Sequence, residues 1–366
     1  MASHPYSKIP PQQRWRAAMA LPAPAEVDPV VGMPFGITRE DRIATAGSCF
    51  AQHIGRHLSQ RGFHRLVTET AHPIVPADVA ASMQYGVYTA RYGNLYTARQ
   101  ALQLFQRAFG SFTPREEPWT DSEGHWFDPF RPAIQPGGFE SREELEADRA
   151  QHLAAVRNMF GTADVLVFTL GLTEAWISRE DGAVFPVCPG VSGGSFDAAR
   201  HAFLNFGVEE VVSDLREFLR LARGVRPDLR VILTVSPVPL AATAEARHVW
   251  TSTTYSKSVL RVAADVVAQE PLTAYFPSYE IVTAPSNRGA YYDEDLRTVR
   301  KAGVDHVMRL FFKHLTDDEP QRRPATQDDA QNEAQRAQAD LQRAREAVDI
   351  ICEENALDSL ARDAGP

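Results

Sequence analysis

A chain of 366 residues can bury a full core and suits one large domain with embellishments or two modest ones. Its 44% apolar and 23% charged residues are globular proportions, which excludes a disordered chain, and no apolar run approaches the roughly 18 residues that would span a bilayer. A formal charge of -9 with no long basic stripe excludes nucleic acid as the main partner.

Cys49, Cys188 and Cys352 are too few, and odd in number, for a disulfide framework, so reduced thiols are expected. The stretch from Met1 to Lys8 has no charged head, apolar run or small-residue cleavage site. A cytoplasmic protein without a secretory signal is therefore expected. Histidines and cysteines are dispersed without ligand spacing, so neither a metal nor a cofactor is expected.

Residues 1–40 are rich in proline and poor in periodicity, which predicts an extended arm lying on a domain. From Asp41 the pattern becomes a short strand, Ile43 to Ala46, a Gly-Ser turn, and a helix with Phe50, Ile54 and Leu58 on one face. Near-continuous apolar runs at Val165–Leu170 and Val231–Val235, and a less regular one from Leu272 to Ile281, predict strands covered on both faces. Helices are predicted over 208–222, 255–268 and 301–314. Strands alternating with helices give an α/β class: a three-layer, doubly wound, mainly parallel sheet over 41–316. Residues 85–160 break the alternation with a helix near 97–109 and the aromatic loop His125 to Pro132, and read as an insertion roofing the pocket.

After Asp317 a linker is predicted to 326 and a helix over 327–366. Ala334, Ala337, Leu341, Ala344, Val348 and Ile351 form a heptad-like stripe of about two and a half repeats, fewer than the roughly three or four of a coiled coil. Docking on its own domain and self-association into a homo-oligomer are the two readings.

Four strand ends carry chemistry. At Thr45 to Ala51 small residues leave the sheet edge, where such sheets bind ligands, and a hydroxyl and a thiol stand at a helix N-terminus. The helix dipole there favours a thiolate or a developing oxyanion, making Ser48 or Cys49 a candidate nucleophile. The structural alternative has Ser48 capping the helix and Cys49 packing in the core. Gly93-Asn94 can bring a backbone N–H close to a ligand or form an ordinary turn. The strand ending at Leu170 leads to Thr173, Glu174 and Trp176; the first two suit a pocket rim, while Trp176 reads as core. The next ends at Ser236, and the last leads to Asp293, Glu294 and Asp295.

Gly47-Ser48-Cys49-Phe50-Ala51 resembles the signature of the GSCFA family, related to the SGNH/GDSL esterases and acyltransferases. The likeness extends to Thr169–Trp176, Thr234–Val238, Ser256-Lys257 and Tyr275–Ile281, covering roughly 41–315. It implies an SGNH-hydrolase-like fold. Laid on the Gly-Asp-Ser turn of that superfamily, Cys49 takes the nucleophile position and Ser48 the acidic one; a one-residue slip would make Ser48 the nucleophile. Gly93 resembles the oxyanion-hole glycine, and Gly171-Leu172-Thr173 the Gly-x-Asn block with Thr173 for asparagine. With Gly303 opening the last helix, the Asp-x-x-His pair falls on Asp295 and Thr298, so the expected histidine is missing. His248 is the leading substitute base and His306 the second.

The implied function is SGNH-type acyl transfer, by an esterase or O-acyltransferase, on an acylated sugar or other small metabolite. The alternative is a catalytically weakened SGNH-like domain that binds a ligand or partner. A small-molecule or glycan substrate is expected, with no nucleic acid and no membrane.

Overall fold

The computed structural model describes residues 4–316. The linker expected at 317–326 and the helix expected at 327–366 lie outside the described residues. Past an arm of short helical turns, the elements run β1 (Ile43–Gly47), α1 (Phe50–Gln60), α2 (Ala77–Ser82), α3 (Ala98–Ala108), β2 (Trp119–Thr120), β3 (Trp126–Phe127) and α4 (Arg142–Thr162). Next come β4 (Val165–Leu170), β5 (Glu174–Ser178), β6 (Val184–Phe185), β7 (His201–Asn205) and α5 (Val208–Val225). The chain continues through β8 (Arg230–Val235), α6 (Val249–Val267), β9 (Thr273–Tyr275), α7 (Ser278–Thr283) and α8 (Lys301–Leu315).

The apolar runs form a parallel sheet in the order β1-β4-β8-β9. Alternate residues feed two cores because successive side chains of a strand point to opposite faces. Ala46, Leu166, Phe168 and Leu233 pack with Phe105 of α3, Val156 of α4, Leu215 of α5 and Leu260 of α6. Ile43, Val165, Val167 and Ile232 pack with Ile54 of α1 and Phe311 of α8. The fold is thus α/β, with a mainly parallel sheet flanked by helices on both faces.

On the outer side of β1, Arg65 makes a single parallel bridge to Ile43, and Leu66 N donates to Ile43 O at 2.8 Å. The chain therefore leaves β1 to one side and returns on the other as β4. Such a reversal opens a crevice at the carboxyl ends of the two strands, where open α/β sheets bind ligands. Gly47, Thr169 and Thr234 share one rung, so Ser48, Gly171 and Ser236 leave the sheet at almost the same level.

The arm lies along α8. His306 Nε2 donates to Val27 O at 2.9 Å, Lys313 and His314 hold Asp28, and Ile37 N donates to Leu315 O at 2.6 Å. The strand predicted over 272–281 is shorter than expected: only Thr273–Tyr275 pair, and Ser278–Thr283 is helical. Pro277 separates the two, since it has no N–H for the ladder. Helix α6 starts at Val249, earlier than predicted.

The reading of 85–160 as a pocket roof is corrected for its C-terminal part. Val156, Met159 and Phe160 of α4 belong to the main core, and His152 is buried. An antiparallel sheet, β6-β5-β7, which the sequence reading did not include, follows β4. Among the described residues no helix is long and apolar enough to cross a membrane.

Candidate active site

Gly47 ends β1 with φ +123°, and a Cβ there would stand 2.1 Å from the Thr169 carbonyl oxygen. Only glycine lets the turn close this tightly on β4. Gly47→Ala should cost about 3 kcal/mol or more from strain and overlap together, read as a lowered urea midpoint; an unchanged midpoint would show that the turn relaxes freely. Ser48 N donates to Thr169 O at 2.9 Å, Leu95 N to Gly47 O at 2.8 Å, and Gly171 N to Tyr96 O at 2.9 Å. These bonds lace the ends of β1 and β4 to the 93–96 segment.

Cys49 is the N-cap residue of α1. Ser48 and Cys49 line a cavity with Tyr96, Gly171, Ser236 and Lys257, closed by Leu172, Val238 and Leu240. Its volume of about 10 Å³ is room for roughly one water. Ser48 is 3% exposed, and its Oγ has no hydrogen-bond partner among the described residues. Ser236 Oγ accepts from Val238 N at 3.3 Å. Lys257, 2% exposed on α6, donates from Nζ to Gly171 O at 2.6 Å. Beside it, Ser256 Oγ accepts from Thr173 N at 3.0 Å. Sequence reasoning gave Lys257 no role; the available signal was a lysine among Ser252, Ser256, Leu260 and Ala263 on the buried face of α6.

Two larger cavities adjoin this one. Across Leu172 and Leu240 lies an apolar cavity of about 330 Å³, walled by Trp176, Phe185, Val187 and Phe203, with Glu174 at its edge. Trp176, expected in the core, instead lines this cavity, its ring 5.7 Å from that of Phe203. Glu174 accepts from Thr243 Oγ1 at 2.6 Å, and burial pushes its carboxyl above the ordinary value. Burial also raises the Cys188 thiol to about 11, leaving it protonated at neutral pH. On the other side, Lys257 is shared with a cavity of about 330 Å³ bordered by Trp250, Tyr279, Asn287 and Tyr292.

The remaining sequence candidates stand around this centre. Gly93 adopts φ +72°. Asn94, 1% exposed, accepts from Gln52 Nε2 at 3.3 Å and donates to Tyr96 Oη at 3.4 Å, reaching the cavity through Tyr96. Neither Gly93 nor Asn94 is part of the cavity wall itself. The Thr173 hydroxyl donates to Asn205 Oδ1 at 2.7 Å, toward β7.

Among the described residues no histidine lines the Ser48–Cys49 cavity. His248 is an exposed N-cap of α6 whose Nδ1 accepts from Trp250 N at 3.1 Å. His306 is used on both nitrogens, by Tyr291 Oη at 2.8 Å and Val27 O at 2.9 Å. Thr298 Oγ1 donates to Asp295 Oδ2 at 2.6 Å, but both residues are exposed and neither borders the cavity. The structure therefore brings together Ser48, Cys49 and Ser236, with Glu174 in the adjoining apolar cavity, and leaves His248 and Asp295 outside both walls.

No curated protein matches the chain. A family model, that of the GSCFA family, matches residues 42–311, taking in every element from β1 to α7 and most of α8. The turn at Gly47 to Ala51, the strand ends around it and α6 all fall within that match, and the chain belongs to the GSCFA family.

Proposed function

We propose that this chain is an acyl-transfer enzyme of the SGNH type, an esterase or O-acyltransferase, whose nucleophile comes from the Ser48–Cys49 turn. The observation that carries this reading is the joint placement of a hydroxyl and a thiol on one cavity at a strand end and helix start. There the α1 dipole favours negative charge on sulfur or on a carbonyl oxygen. The unbonded Ser48 Oγ supplies a donor for that oxygen. The apolar cavity beyond Leu172 suits an acyl group, and the one beyond Lys257, with Trp250 68% exposed at its border, suits a sugar or other polar alcohol.

A second reading, a weakened SGNH-like domain that binds a ligand or partner, is favoured by Thr298 in the histidine position and by the absence of histidine from the cavity wall. A labelled acyl-phosphonate or chloroacetyl probe followed by peptide mapping separates the two. Acyl transfer predicts an adduct on Cys49 or Ser48; a folded protein that forms none supports the binder.

A further inference from the structure

We propose that Lys257 is the proton acceptor and donor for the Cys49 thiol, filling the role that no histidine takes in this site. Both residues line a cavity with room for roughly one water. A cavity of this size keeps the groups on its wall within a short proton-transfer path of one another. The Gly171 carbonyl, 2.6 Å from Nζ, holds the amine at the end of β4, beside the turn that carries Ser48 and Cys49.

A second observation points to a ligand at the same place. Ser48 Oγ is sealed from solvent and has no hydrogen-bond partner among the described residues, an arrangement that is costly unless an acceptor is supplied. A substrate carbonyl oxygen is such an acceptor.

The proton chemistry favours cysteine over serine. An ordinary thiol has a pKa of about 8.5 and a lysine ammonium about 10.4, so in an isolated pair the proton rests on nitrogen. An alkyl hydroxyl is far too weak an acid for that. A Cys–Lys pair thus dispenses with the imidazole that Thr298 cannot provide.

The cycle starts from the Cys49 thiolate and the Lys257 ammonium. Sγ attacks the ester carbonyl carbon, forming the C–S bond and placing an electron pair on the carbonyl oxygen. Collapse breaks the ester C–O bond, and the departing alkoxide takes a proton from Nζ. Water, or an acceptor hydroxyl, then gives its proton to Nζ while its oxygen attacks the thioester. Breaking the C–S bond releases the acid or the new ester and restores the ion pair.

This step rests on the acyl-transfer reading for turnover, but the ion pair can be measured without any substrate. The ultraviolet absorbance of the thiolate is followed against pH in the full chain, with Cys49→Ala subtracted. Wild type should titrate at or below about pH 7, and Lys257→Met at about 8.5 or higher. Lys257→Arg should keep the low midpoint, since the charge remains, yet lose ester turnover, since a guanidinium does not give up its proton.

A wild-type midpoint at the ordinary thiol value overturns the proposal without any variant, which covers the case in which Lys257→Met fails to fold. An unchanged midpoint in folded Lys257→Met, or full turnover by Lys257→Arg, overturns it as well. If the ion pair forms and no ester is turned over, the acyl-transfer reading falls and the Lys257 assignment stands. If Cys49 turns over esters with an ordinary thiol pKa, the reverse holds.

Discussion

Cys49→Ala should abolish hydrolysis of a chromogenic acyl ester, lowering kcat/KM by a factor of order 10³ or more, as loss of a nucleophile does elsewhere. The reason is positional: Cys49 opens α1 on the wall of the cavity where strand ends and an unbonded hydroxyl converge. Ser48→Ala should cost less, about 10² if Ser48 serves as one donor to the oxyanion. Thr298→Ala should change the rate little, because its hydroxyl is spent on exposed Asp295. His248→Ala should also have little effect, since that ring caps α6 from the surface. A large loss from Ser48→Ala with Cys49→Ala near wild type would move the nucleophile by one residue. If the Ser48, Cys49 and Lys257 variants all matched wild type, acyl transfer at this turn would have to be abandoned.

Much of the sheet was legible in the sequence because strands covered on both faces read as apolar runs. This held for β1, β4 and β8, and α5 and α8 showed their apolar stripes. The start of α6 was misplaced, because Val249 to Thr254 mix exposed and buried residues and His248 caps the helix with a ring nitrogen. Helix α4 was not recognised at all. Charged residues dominate its first half, and its buried face there is made by Leu145 and His152 before Val156 and Met159 take over.

The antiparallel sheet after β4 was equally hidden, since β6 has two residues and β7 carries polar residues at both ends. The candidate site divides along the same line. The Ser48–Cys49 turn was visible because its chemistry is local. Lys257 was visible only within the Ser256-Lys257 likeness and drew no role, because it meets Gly171 across 86 positions of sequence and only the packing of α6 on the sheet joins them. Histidines chosen by position in the chain proved to be a helix cap and an anchor for the N-terminal arm.

The segment from 128 to 152 is held by buried charge, and its loss should destabilise the fold strongly. Asp128, 0% exposed, accepts from Arg131 at 3.0 Å and from Arg149 at 3.1 Å. Arg131 also bonds Asp148 at 2.8 Å, and Arg91 bonds Asp148 at 2.7 Å. Burial alone would raise the Asp128 carboxyl, but Arg131, Arg149 and Arg107 outweigh it and hold it well below the carboxylate range. Asp128→Asn removes the buried anion that Arg131, Arg149 and Arg107 share, leaving Asp148 as the carboxylate that Arg131 bonds, and should cost about 3–5 kcal/mol, measured by urea unfolding at neutral pH; a loss below about 1 kcal/mol would mean that solvent already screens the cluster.

Acid should act on the same segment first through His152. It bonds Glu69 from Nδ1 at 2.8 Å, while its buried Nε2 has no partner among the described residues, so a second ring proton would have no acceptor there. Burial, reinforced by the charge of Arg131, depresses its pKa to about 4. The unfolded chain takes up this proton near pH 6.5 and the native one only near 4, so stability falls as pH drops through that window, by up to about 3 kcal/mol. Asp128 contributes little there, because its native carboxyl stays charged and its stabilisation is lost mainly as the unfolded carboxylate takes up protons around its value of about 3.9 and below. His152→Gln should therefore lower stability at pH 7 yet flatten its decline between pH 6.5 and 4. A decline as steep in His152→Gln as in wild type would assign the acid sensitivity to other groups.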